Sequence, residues 1–286
     1  MKNHDYSQGL KLEASYHFEL GCDYLHEDRY DLAIEELTWS IEIDPDNALA
    51  YDHRGIAYGK KEYFDKAIYN FSTAILIDPE FGGAYNNRGL SYYSEGIFDK
   101  AIMDYNKAIE LTPDVAPFYF NRGLVHYALE NYTQALADFG RAIKLGLDDS
   151  EIYINRGEVY AQKGRYKKAI SDFDKALALD PNNIITYANR VWIEKIYKPD
   201  DHRKAGQTRH KARSTKSEKS ANSSNVKKSK DEDMIDIIND FVNSVHYDEE
   251  VAWEDEPVDD PDDDPNYVYS QEEEEEYRKL AGDDES

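Results

Sequence analysis

The stretch "AYNNRGLSYY", Ala84–Tyr93, decides how the whole chain is read. An arginine beside a glycine, after two asparagines and between tyrosines, suits a phosphate loop, a nucleic-acid contact or a structural scaffold. Its neighbours choose among these. The cluster returns as "FYFNRGLVHY" (118–127) and "IYINRGEVYA" (152–161), and a looser copy, "AYDHRGIAYG" (50–59), precedes it. The first copy, "FELGCDYL" (18–25), lacks the arginine. Gly21, Gly55, Gly89, Gly123 and Gly157 stand 34 residues apart. A fixed period of that size is the mark of a repeat architecture.

Each unit carries an aromatic four residues before its glycine, at Tyr51, Tyr85, Tyr119 and Tyr153, with His17 in the first. An alanine falls twelve after it (Ala33, Ala67, Ala101, Ala135, Ala169) and a large apolar residue sixteen after (Leu37, Phe71, Tyr105, Phe139, Phe173). Pro45, Pro79, Pro113 and Pro181 close four of the units. The fourth has Leu147 at that place, and "KLGLDD" predicts a turn at Gly146 instead. Segments such as "FDKAIMDYNKAIEL" space their apolar residues as an amphipathic helix does. Proline stops each second helix, because it lacks an N–H and disfavours helix in its predecessor. Each unit is thus a helical hairpin that buries its apolar face only by stacking on the next. "NIITYANRVWIEKIY" (183–197) repeats the first-helix pattern without a second helix and reads as a cap.

These residues resemble the tetratricopeptide repeat, with tyrosine for the usual tryptophan and arginine for the leucine before the glycine. The resemblance implies an all-α chain: a right-handed superhelical solenoid of helical hairpins. Its expected parts are an N-terminal segment (1–13), five repeats plus a capping helix (14–197), a basic disordered linker (198–230) and an acidic tail (231–286). About eleven helices are expected in 14–197.

The linker and tail follow from composition. The chain has 286 residues and a net charge of −25, unevenly spread. Residues 231–286 hold 24 acidic against 2 basic residues, a net of −22, and 198–230 hold 11 basic against 3 acidic, a net of +8. Residues 1–197 are therefore at −11. Few apolar residues in the linker leave ordering entropy uncompensated, so disorder is expected there and in 248–286. Within the tail, Met234, Ile235, Ile237, Ile238, Phe241, Val242 and Val245 predict a short amphipathic helix over 234–245 that orders on binding, either to a partner or to the chain's own repeats.

Asn87, Asn121, Asn155 and Asn189 recur two residues before the glycine position, with His53 in the second unit. The resemblance puts that position on the groove side of the first helix, where a column of carboxamides suits the backbone of an extended peptide. The alternative is that they only bind water. Ile56, Leu90, Leu124, Tyr93, Tyr127 and Phe120 complete a predicted apolar, amide-lined groove, and the alternative for each is packing against a neighbouring helix. Arg54, Arg88, Arg122, Arg156 and Arg190 form a second column. They sit inside helices, which excludes a phosphate loop. The acidic body argues against nucleic-acid binding by the repeats. The structural reading pairs them with carboxylates of the second helices, Glu36, Asp104, Asp138 and Asp172.

Chaperone-binding relatives hold a C-terminal carboxylate in a basic clamp of Lys and Asn side chains. No register of this sequence supplies one; the second offers Asp52, Ile56, Asn87, Pro117 and Asn121. No metal-ligand spacing, nucleophile motif or P-loop appears, so neither cofactor nor catalysis is expected. A lone cysteine, Cys22, and the lack of a long apolar run predict a soluble, cytoplasmic protein. Two functions remain: a scaffold or adaptor that holds a partner peptide or helix in the groove, and a carrier whose acidic tail shields a basic partner. The sequence does not set the oligomeric state.

Overall fold

The structure is a computed structural model, and it describes residues 2–197. Eleven helices and no strand lie among the described residues: α1 (Lys2–His26), α2 (Tyr30–Ile43), α3 (Ala48–Lys60), α4 (Phe64–Ile77), α5 (Gly82–Ser94), α6 (Phe98–Leu111), α7 (Ala116–Ala128), α8 (Tyr132–Lys144), α9 (Ser150–Gln162), α10 (Tyr166–Leu179) and α11 (Ile184–Tyr197). The expected helix count and type hold. Helix α1 begins at Lys2, within the expected N-terminal segment, and runs on into the first repeat. The expected disorder of 198–230 and 248–286 and the helix at 234–245 lie outside the described residues. The chain forms two compact units, Met1–Val159 and Tyr160–Ser286, divided within α9.

Local chemistry sets the helix ends. The residues before proline, Asp44, Asp78, Thr112 and Asp180, are all driven into extended backbone, with φ between −125° and −143° and ψ between 83° and 94°. Gly146 turns the fourth unit at φ +97°, as its sequence predicts. Asn47 caps α3 by accepting from the Ala50 N–H at 3.2 Å. The first-to-second helix turns need a left-handed residue at one fixed place: Asp28, Glu62, Gly96, Glu130 and Gly164 have φ between 57° and 73°. Only two of the five are glycine, so the tight turn overrides the steric preference of the other three.

In the first unit, each helix through α8 packs on the next, and the first helices of successive hairpins also touch, α1 with α3, α3 with α5 and α5 with α7. The second helices of this unit, α2, α4 and α6, make no comparable contact with one another. The first helices therefore gather on one inner face of this unit. The repeat glycines allow each hairpin to close. A Cβ on Gly55 would lie 2.6 Å from Phe71 Cε1, and one on Gly89 would lie 2.9 Å from Tyr105 Cε1. Leu37, Phe71, Tyr105 and Phe139 are buried in the space those glycines leave.

Tyr105 is the exception among the aromatics at its register place, because its hydroxyl is buried with no hydrogen-bond partner. An orphaned buried hydroxyl costs about 1–3 kcal/mol. Tyr105→Phe is therefore expected to raise stability by about 1 kcal/mol in urea unfolding. A loss of stability would show that the hydroxyl is satisfied in solution.

The arginine column is structural where the first unit shows it. Arg88 grips Asp104 with two bonds of 2.7 Å and reaches Ser72 on the preceding second helix at 3.1 Å. Arg122 grips Asp138 at 2.9 and 2.7 Å and reaches Asn106 at 2.7 Å. Arg54 repeats the geometry with neutral partners, Asn70 at 2.8 Å and Thr38 at 3.1 Å. Each arginine thus ties its own hairpin to the one before it, and each lies 5.4–5.7 Å from the ring of the tyrosine three residues earlier. Glu36 departs from the expected pairing. Leu20 stands where its arginine would be, and Glu36 pairs with His17 at 2.6 Å. In the second unit, Arg190 pairs with Asp174 at 2.5 Å and Glu194 at 2.9 Å.

Candidate functional site: the inner face of the first helices

The residues expected to line a groove lie on α3, α5, α7 and α9 of the first unit, with Asn189 apart on α11. The asparagines do more than face outward. Asn121 donates to Asn86 Oδ1 at 2.9 Å, Asn86 donates to Asn87 Oδ1 at 3.2 Å, and Asn87 donates to Asp52 Oδ1 at 3.0 Å. One chain of amides therefore crosses three first helices, α7, α5 and α3, and ends on a carboxylate that is 4% exposed. Asn155 instead donates to its own helix, at Glu151 O, 2.9 Å away.

His53 sits beside the end of this chain. Its Nδ1 lies 2.9 Å from Leu49 O and 4.0 Å from Asp52 Oδ2, and its ring meets Phe18 edge-on at 5.3 Å. A carbonyl can only accept, so Nδ1 carries the hydrogen. Asp52 and Asn86 are absent from the sequence-derived set. The signal was present but offset: each inter-helix bond joins residues 35 apart, one more than the repeat period. Neighbouring first helices meet one residue out of register, so the column that looks alone in the sequence is half of a pair.

Burial pushes the Asp52 carboxyl above its usual range, partly offset by the Asn87 hydrogen bond and the nearby His53. Such a group adds stability below the unfolded carboxylate range and loses that contribution as pH rises through the folded value. At pH 7 the wild-type chain carries the cost of a buried anion. Asp52→Asn keeps an acceptor for Asn87 and removes the charge. It is expected to raise Tm at pH 7 by roughly 2–4 °C, the shift for about 1 kcal/mol in a fold of this size. The gain should shrink towards zero below about pH 4. A constant difference across that range in calorimetry would refute it.

The apolar members divide. Leu90 is 45% exposed, and Ile56 and Leu124 are half-buried. Phe120 stacks on Phe139 at 5.8 Å and Tyr93 on Phe98 at 5.9 Å, so both brace their own hairpins. Tyr127 donates to Glu158 Oε2 at 3.2 Å, which links α7 to α9. Burial, with the Glu158 charge and hydrogen bond, holds the Tyr127 hydroxyl up at about 12. Glu158 itself is pushed upward by burial, against the Tyr127 hydrogen bond. It stands one after its glycine, where the other units have Ile56, Leu90 and Leu124. The inner face is therefore an apolar strip with amides along it, a buried carboxylate at Asp52 and a half-buried one at Glu158. Among the described residues no helix is long and apolar enough to cross a membrane.

Residues 120–184 match a family model described as tetratricopeptide repeat, and residues 89–130 match one described as TPR repeat. Solved structures share the fold. A thermophilic TPR protein of Thermus thermophilus is 22% identical over 63% of this chain and 98% of its own, with a TM-score of 0.52. Pseudomonas aeruginosa pilF is 19% identical over 70% and 90%, with a TM-score of 0.61. YrrB, described as a TPR protein with an unusual peptide-binding site, is 21% identical over 61% and 90%, with a TM-score of 0.50. No curated protein matches the sequence. The glycine-to-aromatic closure, the stacked hairpins and these matches agree that the described residues have the tetratricopeptide repeat fold, with residues 89–184 matching that repeat's family models.

Proposed function

We propose that this protein is a non-enzymatic scaffold that holds an extended peptide or helix of a partner protein on the inner face of its first helices. The observation that carries the reading is the amide chain from Asn121 to Asp52, flanked by exposed Leu90 and half-buried Ile56 and Leu124. Asn121 Oδ1 accepts no hydrogen bond among the described residues, which leaves an acceptor for a peptide N–H. Apolar anchors beside regularly spaced amides suit a peptide whose backbone is held and whose side chains fill the strip. The described peptide-binding site of YrrB supports a peptide ligand for this fold. Buried Asp52 and half-buried Glu158 add carboxylates to this face, which favours neutral or cationic ligand segments over acidic ones.

Peptides selected from a random library against the full chain supply the test. Leu90→Asp is expected to weaken them by about tenfold or more, while Met103→Asp, at a 70% exposed position on second helix α6, should leave them unchanged. The reverse pattern would refute the inner-face reading. Peptides that are uniformly basic and insensitive to Leu90→Asp would support the carrier function of the acidic tail instead.

A further inference from the structure

The sequence repeats the second-helix pattern once more beyond α11. "MIDIINDFVNSV" (234–245) aligns with "FDKAIMDYNKAI" (98–109) of α6. Met234, Ile237, Ile238, Phe241 and Val245 stand where α6 has Phe98, Ala101, Ile102, Tyr105 and Ile109, and Asp240 stands at the place of Asp104. The register is that of the repeat itself, since Met234 and Phe241 fall two periods of 34 residues after Tyr166 and Phe173 of α10. The direct continuation of α11 lacks the pattern: Arg203 and Gln207 occupy its alanine and large apolar places. Helix α11 carries the first-helix pattern and packs on α10, and no helix follows it among the described residues. Its glycine place, buried in every earlier hairpin, is the half-buried Val191. Arg190 stands where Arg88 and Arg122 grip carboxylates of their own second helices, and its partners are Asp174 on α10 and Glu194 on α11 itself.

We infer that residues 234–245 dock on α11 as the second helix of a sixth hairpin, with Phe241 over Val191 and Asp240 at Arg190. Three arguments name that occupant. The first is shape: the apolar spacing of the segment is the one that α11's first-helix pattern meets in every earlier hairpin. The second is charge, because Asp240 and Arg190 hold the places at which Asp104 meets Arg88 and Asp138 meets Arg122. The third is connection. Residues 198–233 tether the segment to the end of α11, and a tether of that length gives an effective concentration on the order of millimolar, well above a second copy at micromolar level. Residue size sets the strength. The small pair that lets the other hairpins close, glycine with the alanine twelve after it, is here Val191 with Ile237. The two helix axes therefore stand farther apart, the docking is weaker than a closed hairpin, and a partner helix of the same spacing can displace the segment. This docking is independent of the inner-face reading, since it lies wholly within Tyr160–Ser286.

The test uses the full chain. A Cβ on Gly123 would lie 3.3 Å from Asp138 Cβ, close to the span of a disulfide. The matching pair here is Val191 and Asp240. In a C22S background, V191C/D240C should close an intramolecular disulfide about tenfold or more faster than V191C/N239C. Asn239 is the control because it holds the place of Met103, which is 70% exposed on α6. Phe241→Asp, outside the described helices, should shift the amide resonances of residues 184–197 and leave those of residues 30–144 in place. A synthetic peptide of residues 232–247 should bind the F241D chain about tenfold or more tightly than the wild-type chain. Equal disulfide rates or unshifted resonances would overturn the proposal. So would a disulfide formed only between two chains, which would mark docking on a second copy. Equal peptide affinity for both chains, which would mark a site for a partner's helix, or no peptide binding at all, would overturn it as well.

Discussion

Asp138→Ala is expected to destabilise the protein by about 3–5 kcal/mol, the cost of leaving a buried ion-pair partner uncompensated. Arg122 and Asp138 are 4% and 2% exposed, and two short bonds join them. Without the carboxylate, Arg122 keeps its bond to Asn106 and its place over Tyr119 but holds a buried charge. Burial lowers the His126 pKa and Asp138, 3.9 Å away, opposes that shift, so the substitution leaves His126 neutral and unable to replace the lost charge. The matching change at Asp104 should cost less, because Arg88 is 19% exposed and water can take up part of its charge. Replacing Arg122 and Asp138 together by Met and Leu should recover most of the loss. Equal losses at Asp104 and Asp138 in urea unfolding would show that burial does not set the scale.

The same substitution should have opposite signs at two glycines. A Cβ on Gly123 would lie 2.7 Å from Phe139 Cε1 and 3.3 Å from Asp138 Cβ. Phe139 is fully buried and cannot swing away. Gly123→Ala should therefore cost about 1–3 kcal/mol from overpacking, against a helix-propensity gain of about 1 kcal/mol. Gly140, on α8, has nothing within 4 Å of a built Cβ. Gly140→Ala should stabilise by about 0.5–1 kcal/mol. Chemical denaturation of both variants decides it, and stabilisation at Gly123 would show that the helices can part at no cost.

Period and residue type determined the fold from sequence alone. Glycine every 34 residues, with a large apolar residue sixteen on, is a statement about two helices in contact, and the structure shows that contact atom by atom at Gly55, Gly89 and Gly123. Proline marked the second-helix ends for the same reason, since its effect on the preceding residue is local. The arginine–aspartate pairs were legible because both partners belong to one hairpin. What the sequence hid is what passes between hairpins. Asn87 to Asp52 and Asn121 to Asn86 span 35 residues, and only the packing of α5 on α3 and α7 on α5 sets that offset. Tertiary structure likewise decided that Glu36 answers His17, that Tyr105 buries an unbonded hydroxyl, and that Tyr197 stacks beneath Lys167. Each depends on the distance between segments far apart in the chain, which a repeat period bounds but does not specify.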